Sequence, residues 1–185
     1  MPRRTRPREL TAADLPLLQR FLEANPDYHL LVSGEPPAAG AAQEIFDSRP
    51  PEDYLFERKW LLRFDDESDV MIGMAEGLSN LFAEGVWHIG LFIVATHLHG
   101  TGRALGLYGS LEAWLRKQGG RWSRLGVVEG NARAERFWEK LGYRQVRTRS
   151  VEMGRRTNNV RVMVKPLADA TVSQYLALVK RDRPD

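Results

Sequence analysis

A short segment rich in glycine and histidine follows an apolar run near the middle of this 185-residue chain. The run 91–95 is typical of a strand, His99-Gly100-Thr101-Gly102 follows it, and a helical pattern then begins. Two glycines let the backbone turn sharply and approach a ligand, and the first turn of a helix presents N–H groups without intrahelical partners. Phosphate oxygens suit such groups, because hydrogen bonding and the helix dipole act together. The spacing predicts a phosphate-binding loop, with a ligand-free turn as the alternative.

A second unit follows between residues 124 and 143. Leu125 and Val127 predict a short buried strand, Asn131 is a good helix N-cap, and Gly142 is a good C-terminal stop. Apolar residues at helical spacing between these caps predict one inward face, formed by Ala134, Phe137, Trp138 and Leu141. The predicted order is strand, phosphate-type turn, helix, strand, capped helix and strand.

These two motifs, in this order, resemble those of the GNAT superfamily of acyl-CoA-dependent N-acetyltransferases. Members carry Arg/Gln-x-x-Gly-x-Gly/Ala after their fourth strand, which His99, Gly102 and Ala104 fit except at the first position. They also carry Asn-x-x-Ala-x-x-aromatic-aromatic-x-x-x-Gly-aromatic, which residues 131–143 fit closely. The resemblance covers about residues 60–165 well and the N-terminal third only loosely.

The resemblance implies a mixed α/β (α+β) fold: a central, mostly antiparallel twisted sheet, splayed at strands 4 and 5, with flanking helices. Gly90 within a strand pattern also predicts a bulge or a close ligand approach. In this family the splayed strands hold the pantetheine arm of acetyl-CoA, the cosubstrate, and the implied reaction is direct acetyl transfer to a primary amine. The residues expected to bind acetyl-CoA are Phe92, Ile93, Val94, His99, Gly100, Thr101, Gly102, Arg103, Ala104, Asn131 and Trp138.

Two positions depart from the family pattern. His99 replaces the usual Arg or Gln, so a fixed positive charge beside the pyrophosphate is missing from the motif. Trp138 stands where many members have the Tyr that protonates the departing thiolate, and an indole N–H is not a useful acid. Tyr108 and Tyr143 are the nearby phenols, and their positions are typical of core or cap residues. We therefore expect transfer without a dedicated acid.

Acetyl transfer to an amine needs a base, because an ammonium near pKa ~10 must lose a proton. The candidates are Glu84 and His88 around the start of the bulged strand, Glu129 at the end of the next strand, and Glu76 on the preceding strand. For each, a surface or strand-edge role is the alternative. Regular strand alternation would place His88 on the same face as Gly90 and opposite Leu91.

No metal site is expected, because His97 and His99 are not spaced as metal ligands on a helix or strand would be. The chain has no cysteine, which excludes a disulfide framework, a cysteine zinc site and an acyl-cysteine intermediate.

Length and composition favour one domain over residues 1–185, with 43% hydrophobic and 28% charged residues. No apolar run of membrane-spanning length and no signal peptide is visible, so a cytoplasmic protein without a membrane partner is expected. The net charge of +3 is mild, and residues 1–8 form a basic arm predicted to be flexible. Nucleic acid is not favoured as a partner, because aromatic residues do not interleave with the arginines of 144–161.

Periodicity and turn signals predict the remaining elements. Predicted strands begin at Arg8 and cover 60–64, 70–75, 86–94 and 160–164. The first predicted helix begins at the capping box of Thr11 and ends at Pro26. Three more are predicted, at 39–46, at 105–115 and within 168–180.

Three functions remain open. The first is an N-acetyltransferase acting on a small-molecule or peptide amine, with a homodimer left open as its assembly. The second is a catalytically weak acyl-CoA-binding sensor or regulatory protein with the same fold, which the missing Tyr favours. The third is a mononucleotide- or nucleic-acid-binding domain that uses the same loop. The acceptor pocket is expected in the region 12–58, where the resemblance is weakest.

Overall fold

The computed structural model describes residues 5–184, which include one seven-stranded sheet with helices on both faces. The strands are β1 (Arg8–Glu9), β2 (Arg58–Asp65), β3 (Met71–Ser79), β4 (Val86–Val94), β5 (Trp122–Val128), β6 (Arg144–Met153) and β7 (Arg156–Pro166). The helices are α1 (Leu15–Ala24), α2 (Asp27–Val32), α3 (Ala41–Asp47), α4 (Arg103–Lys117), α5 (Ala132–Lys140) and α6 (Val172–Leu178). The predicted basic arm lies partly outside the described residues, and Arg8 already belongs to β1.

The strands are ordered β1-β2-β3-β4-β5-β7-β6 across the sheet. Within residues 5–184 only β4 and β5 run parallel, because α4 crosses between them and returns the chain in the same direction. The other neighbours are antiparallel. The predicted mixed, mostly antiparallel sheet with flanking helices is therefore confirmed.

Apolar side chains on the two faces of the sheet hold the helices in place. Leu107, Leu111 and Leu115 of α4 pack with Trp60 and Leu62 of β2 on one face. The opposite face carries α1 and α3 through a second cluster of Leu18, Phe21, Leu22, Ala41, Ala42, Leu61 and Met74. Burial of each large apolar side chain contributes roughly 1.5–3 kcal/mol. The sheet is thereby a rigid support for whatever lies between its strands.

The predicted caps are confirmed. Thr11 forms its capping box with Asp14, the Asn131 side chain accepts the Ala134 N–H, and Gly142 has φ 93° after α5. The six-residue helix α2 was not predicted, because it is too short to show a helical period. Asn25, between α1 and α2, accepts the Thr96 N–H at 2.7 Å and so ties α2 to the segment after β4.

Strand β4 contains the predicted bulge. Glu76 pairs with Leu91 and Gly77 pairs with Ile89, so Gly90 is an extra residue without a register partner. The bulge reverses the alternation: Ile89 packs with the α4 cluster, whereas Leu91 packs against the α1 cluster. The expectation that His88 and Leu91 lie on opposite faces was therefore wrong.

Strands β4 and β5 separate just beyond this point. They pair only over Val86–Ile89 and Trp122–Leu125, although β4 continues to Val94 and β5 to Val128. The predicted splay is confirmed, and it leaves unpaired backbone on both sides of a cleft. Within residues 5–184 no helix is long and apolar enough to cross a membrane.

Candidate active site

The cleft between the separated strands β4 and β5 contains a cavity of about 420 Å³. Residues of β4 and β5 form its centre, α2 and the β6–β7 hairpin border one side, and the start of α4 and α5 border the other. Of the residues expected to bind acetyl-CoA, those that line this cavity are Phe92, Ile93, Val94, His99, Gly100, Ala104, Asn131 and Trp138. Thr101, Gly102 and Arg103 lie beside it, in the exposed turn that begins α4.

The glycines of this turn are required by its conformation. Gly100 has φ 79° and Gly102 has φ 83°, the left-handed region that side chains with a Cβ rarely adopt. A Cβ at either position would meet no atom within 4 Å, so the backbone faces open space. Thr101 Oγ donates to the Leu98 carbonyl at 2.7 Å and thereby holds the turn. The first N–H groups of α4 are thus presented at the cavity.

A guanidinium stands beside His99 although the motif itself lacks one. Arg133 Nη1 donates to His99 Nδ1 at 3.0 Å, and His99 Nε2 contacts the Val94 carbonyl at 3.0 Å. Because a guanidinium only donates, Nδ1 must accept and Nε2 must carry the proton. Arg133 also lines the cavity, so the structure supplies a fixed positive charge where the sequence motif has none. The two residues are 34 positions apart, so no sequence motif indicated that they form a pair.

Trp138 is buried and lines the cavity from α5. Its ring packs edge-on against Phe92 and Tyr143, with centroids 5.7 and 5.2 Å away. Tyr108 Oη donates to Tyr143 Oη at 3.0 Å, and Tyr143 Oη lies 2.6 Å from Ser123 Oγ. Neither phenol lines the cavity, and burial raises the pKa of both. The prediction that Tyr108 and Tyr143 are core residues is confirmed.

The candidate bases occupy different environments. Glu84 is exposed in the turn before β4 and Glu129 is exposed after β5, and neither of them nor Glu76 lines the cavity. His88 lines it, but its Nδ1 accepts from Arg124 Nη1 at 3.2 Å. Burial and the Arg124 charge lower the pKa of His88 to about 3. An imidazole with that pKa is neutral at pH 7 and too weak a base to hold a proton.

Glu76 lies on β3 directly beside the bulge. A Cβ on Gly90 would come within 2.6 Å of Glu76 Oε2, so the carboxylate occupies the space that the glycine leaves. Gly90 itself is exposed and lines the cavity. Burial raises the pKa of Glu76, an effect that the Lys59 charge partly offsets. Burial and Glu76 in turn raise the pKa of Tyr28, a cavity residue of α2, to about 12.

A buried ionic cluster, the Arg124–Asp182 cluster, lies at the α2 side of the cavity. Arg124 is 4% exposed and Asp182 is fully buried. Arg124 Nε and Nη2 donate to the two carboxylate oxygens of Asp182 at 2.6 and 3.1 Å. Arg149 Nη2 donates to Oδ1 at 3.2 Å and Tyr175 Oη to Oδ2 at 2.5 Å. Arg124 stands out in the sequence as an arginine within an apolar strand, which indicates a buried partner. That partner, Asp182, lies 58 residues away and could not be identified from the sequence.

A splayed parallel strand pair, a glycine turn at a helix N-terminus and a cavity beside them are the features expected of an acetyltransferase fold. The sequence matches the Acetyltransferase (GNAT) family over residues 19–143. The chain belongs to this family. Among the described residues, no group of three or more His, Asp or Glu side chains is placed to hold a metal ion.

Solved structures share this fold at low sequence identity. Spermidine N-acetyltransferase from Vibrio cholerae, in complex with CoA and spermine, is 17% identical, with TM-score 0.67 and coverage of 94% of this chain and 98% of that one. Ribosomal-protein-S18-alanine N-acetyltransferase from Escherichia coli is 18% identical, with TM-score 0.62 and coverage of 89% and 95%. An acetyltransferase from Thermus thermophilus is 20% identical, with TM-score 0.65 and coverage of 86% and 95%. No curated protein matches the chain at the sequence level.

Proposed function

We propose that this chain transfers an acetyl group from acetyl-CoA directly to a primary amine. One observation carries the proposal: the unpaired edge of β4 beyond Gly90 opens into the same cavity as the glycine turn before α4. Family membership and the amine substrates named for the similar spermidine and ribosomal-protein enzymes support it. Acetyl-CoA supplies a thioester whose carbonyl carbon accepts the amine and whose thiolate departs.

Different residues of the chain are suited to different parts of acetyl-CoA and of the transfer reaction. The N–H groups that begin α4, with the Arg133 guanidinium, are suited to the pyrophosphate. The unpaired backbone of Phe92, Ile93 and Val94 is available to the pantetheine amides, and a backbone N–H at the bulge can stabilise the developing oxyanion. Asn131 holds the start of α5 and with it the position of Arg133.

Glu76 is the base that the geometry favours over Glu84, His88 and Glu129. Its carboxylate borders the exposed bulge, and its raised pKa suits a group that must take a proton from an ammonium near neutral pH. Glu76 takes one proton from the ammonium, and the free amine then attacks the carbonyl carbon. As the C–S bond breaks, the nitrogen loses its second proton to water. The thiolate, with a pKa of about 8.5, leaves without a dedicated acid.

Release of free CoA thiol with a panel of amines tests the proposal. We expect acetyl-CoA, but not ATP or DNA, to protect the protein from thermal unfolding, and at least one amine to support thiol release. Protection without turnover for any amine would favour the sensor function, to which Trp138 in place of a phenol points. Protection by ATP or DNA alone would favour a nucleotide- or nucleic-acid-binding domain.

Gly102→Val is expected to abolish acetyl-CoA binding while the protein stays folded. Valine is strained at φ 83°, at a cost of about 1–3 kcal/mol, and its side chain enters the open space in front of the turn. Titration calorimetry with acetyl-CoA measures the loss.

The matched control is Gly119→Val at the other end of α4. Gly119 has φ 91° and the same open surroundings but follows the C-terminus of α4, about 25 Å along the helix from Gly102. It should destabilise the fold similarly and still bind acetyl-CoA. Unchanged affinity in folded Gly102→Val would disprove the phosphate-loop proposal.

Trp138→Phe is expected to keep most of the turnover, because the indole acts as a wall of the cavity and not as an acid. Phenylalanine keeps an aromatic ring against Phe92, so the slot retains its shape. Trp138→Tyr should hold or raise turnover if its hydroxyl reaches the sulfur. Steady-state thiol release measures both variants. Loss of turnover in Trp138→Phe with intact acetyl-CoA binding would show that transfer without an acid is wrong.

A further inference from the structure

Two guanidinium groups share one carboxylate at the α2 side of the cavity. Within residues 5–184, Asp182 is the carboxylate that forms ion pairs with both Arg124 and Arg149. Its oxygens are fully engaged, because Oδ2 also accepts from Tyr175 and Oδ1 receives both guanidinium groups. Both arginines line the cavity. The cluster therefore presents one excess positive charge to the space where the acceptor must bind.

The ion pairs of the cluster do not neutralise that charge, and Asp27 of α2, which also lines the cavity, pairs with neither Arg124 nor Arg149. His88 accepts from Arg124 and is held neutral, with its pKa lowered to about 3. Arg149 Nε is buried and has no hydrogen-bond partner among the described residues. A buried donor without a partner is rare in folded proteins and is usually satisfied by water or by a ligand. Because Arg124 and Arg149 share one carboxylate and both line the cavity, an anion with an accepting oxygen is the ligand that suits this side of it.

The position of the cluster sets the spacing between this anion and the reacting amine. Arg124 contacts His88, which precedes Gly90 by two residues, so the cluster lies about 7 Å along β4 from the bulge. Glu76 borders the same bulge. Glu76, which can accept the proton of the amine, and the guanidinium groups, which can bind an anion, thus lie about 7 Å apart along β4. The wall beyond them is apolar and consists of Leu31, Val32, Val151, Met153, Val160 and Val162.

We propose that the acceptor is an α-amino carboxylate with an apolar side chain. Its amine faces Glu76 and Gly90, its carboxylate pairs with Arg149 and Arg124, and its side chain lies between α2 and the β6–β7 hairpin. A single excess charge matches a carboxylate better than a phosphate, which carries about −1.5 to −2 at pH 7. This inference rests on the proposed acetyl transfer.

Leucine and 3-methylbutylamine, which is leucine without its carboxylate, are the matched acceptors for the test. In wild-type protein, thiol release should show a kcat/KM for leucine about 10- to 100-fold above that for the amine, the value of a charge-assisted contact. Arg149→Gln should remove this preference by raising the KM for leucine, and Arg149→Lys should restore part of it. Equal kcat/KM for the two acceptors in wild-type protein would overturn the inference.

Arg147→Gln is the matched control. Arg147 lies two residues before Arg149 on β6, and both donate to the Arg181 carbonyl, but Arg147 does not line the cavity. It should leave the preference for leucine unchanged. If Arg147→Gln and Arg149→Gln reduce kcat/KM for both acceptors alike, the arginines only anchor the C-terminal segment and the inference fails.

A binding measurement separates this inference from the proposed function. Calorimetry with 4-methylpentanoate, which has no amine, and its uncharged amide reports recognition of the carboxylate without any transfer. Tighter binding of the acid, lost in Arg149→Gln, supports the carboxylate site even if no amine is acetylated. Turnover of amines with no difference between acid and amide upholds the acetyl transfer and refutes the carboxylate site.

Discussion

Glu76→Gln is expected to lower kcat for acetyl transfer by about 10²- to 10⁴-fold, the usual contribution of a positioned base. Glutamine keeps the volume that packs beside Gly90 but cannot accept the ammonium proton. Acetyl-CoA affinity should be unchanged, because Glu76 does not belong to the turn that we propose binds the pyrophosphate. Single-turnover acetylation together with calorimetry measures the two effects separately.

The pH profile gives a second readout of the same group. Burial raises the pKa of Glu76 above the usual carboxylate range, and only the ionised form can accept a proton. The kcat/KM of the wild-type protein should therefore rise with pH through this raised pKa, and that limb should be absent from Glu76→Gln. Glu84→Gln and Glu129→Gln are the controls, since both carboxylates are exposed in turns outside β4 and β5, whereas Glu76 lies beside Gly90. Retained turnover in Glu76→Gln with loss in either control would identify a different base.

Asp182→Asn is expected to lower the free energy of unfolding by about 3–5 kcal/mol, the cost of leaving buried charge without its partner. The substitution leaves Arg124 and Arg149 without their shared carboxylate, and it weakens the bond from Tyr175. Urea denaturation measures the global change. Hydrogen exchange in α6 shows whether the C-terminal segment undocks first.

The same residue predicts a pH dependence of stability. Burial raises the pKa of Asp182, but hydrogen bonds from Arg124 and Tyr175 and the charges of Arg124 and Arg149 together lower it below its ordinary value. The stability from this cluster is therefore present above the unfolded pKa of about 3.9 and is lost as pH falls through the lowered folded pKa. Asp182→Asn should lack this component.

Asp53→Asn is the matched control for Asp182→Asn. Asp53 pairs with Arg181 at 3.1 Å, but its side chain is 68% exposed. An exposed pair of this kind contributes about 0–1 kcal/mol. Equal destabilisation by Asp53→Asn and Asp182→Asn would contradict a special role for the buried cluster.

Several features of the fold could be predicted from the sequence because they depend on residues close together in the chain. The glycine turn at 99–102, the N-cap at Asn131 and the stop at Gly142 are each set by local backbone conformation. The bounds of β4 were predicted as Val86–Val94, and the structure has the same bounds. These signals, in their order, also sufficed to identify the family.

The face that each β4 residue occupies depended on pairing with β3. Sequence alternation assumes an unbroken period of two, and the extra residue at Gly90 reverses it for every position that follows. The bulge could be suspected from a glycine in a strand, but its effect on Leu91 required the register. The same register places Glu76 beside Gly90, which is why Glu76 could be named from the sequence but not preferred.

Charges that meet across the fold were decided only by the tertiary structure. Arg133 reaches His99 from 34 residues away, and Asp182 reaches Arg124 from 58 residues away. No period or local motif links such positions, because each pair forms only when separate helices and strands pack together. The sequence by itself thus determined the family, the fold class and the loop suited to a phosphate. Which carboxylate borders the bulge, and which arginines line the cavity, depended on packing between distant segments.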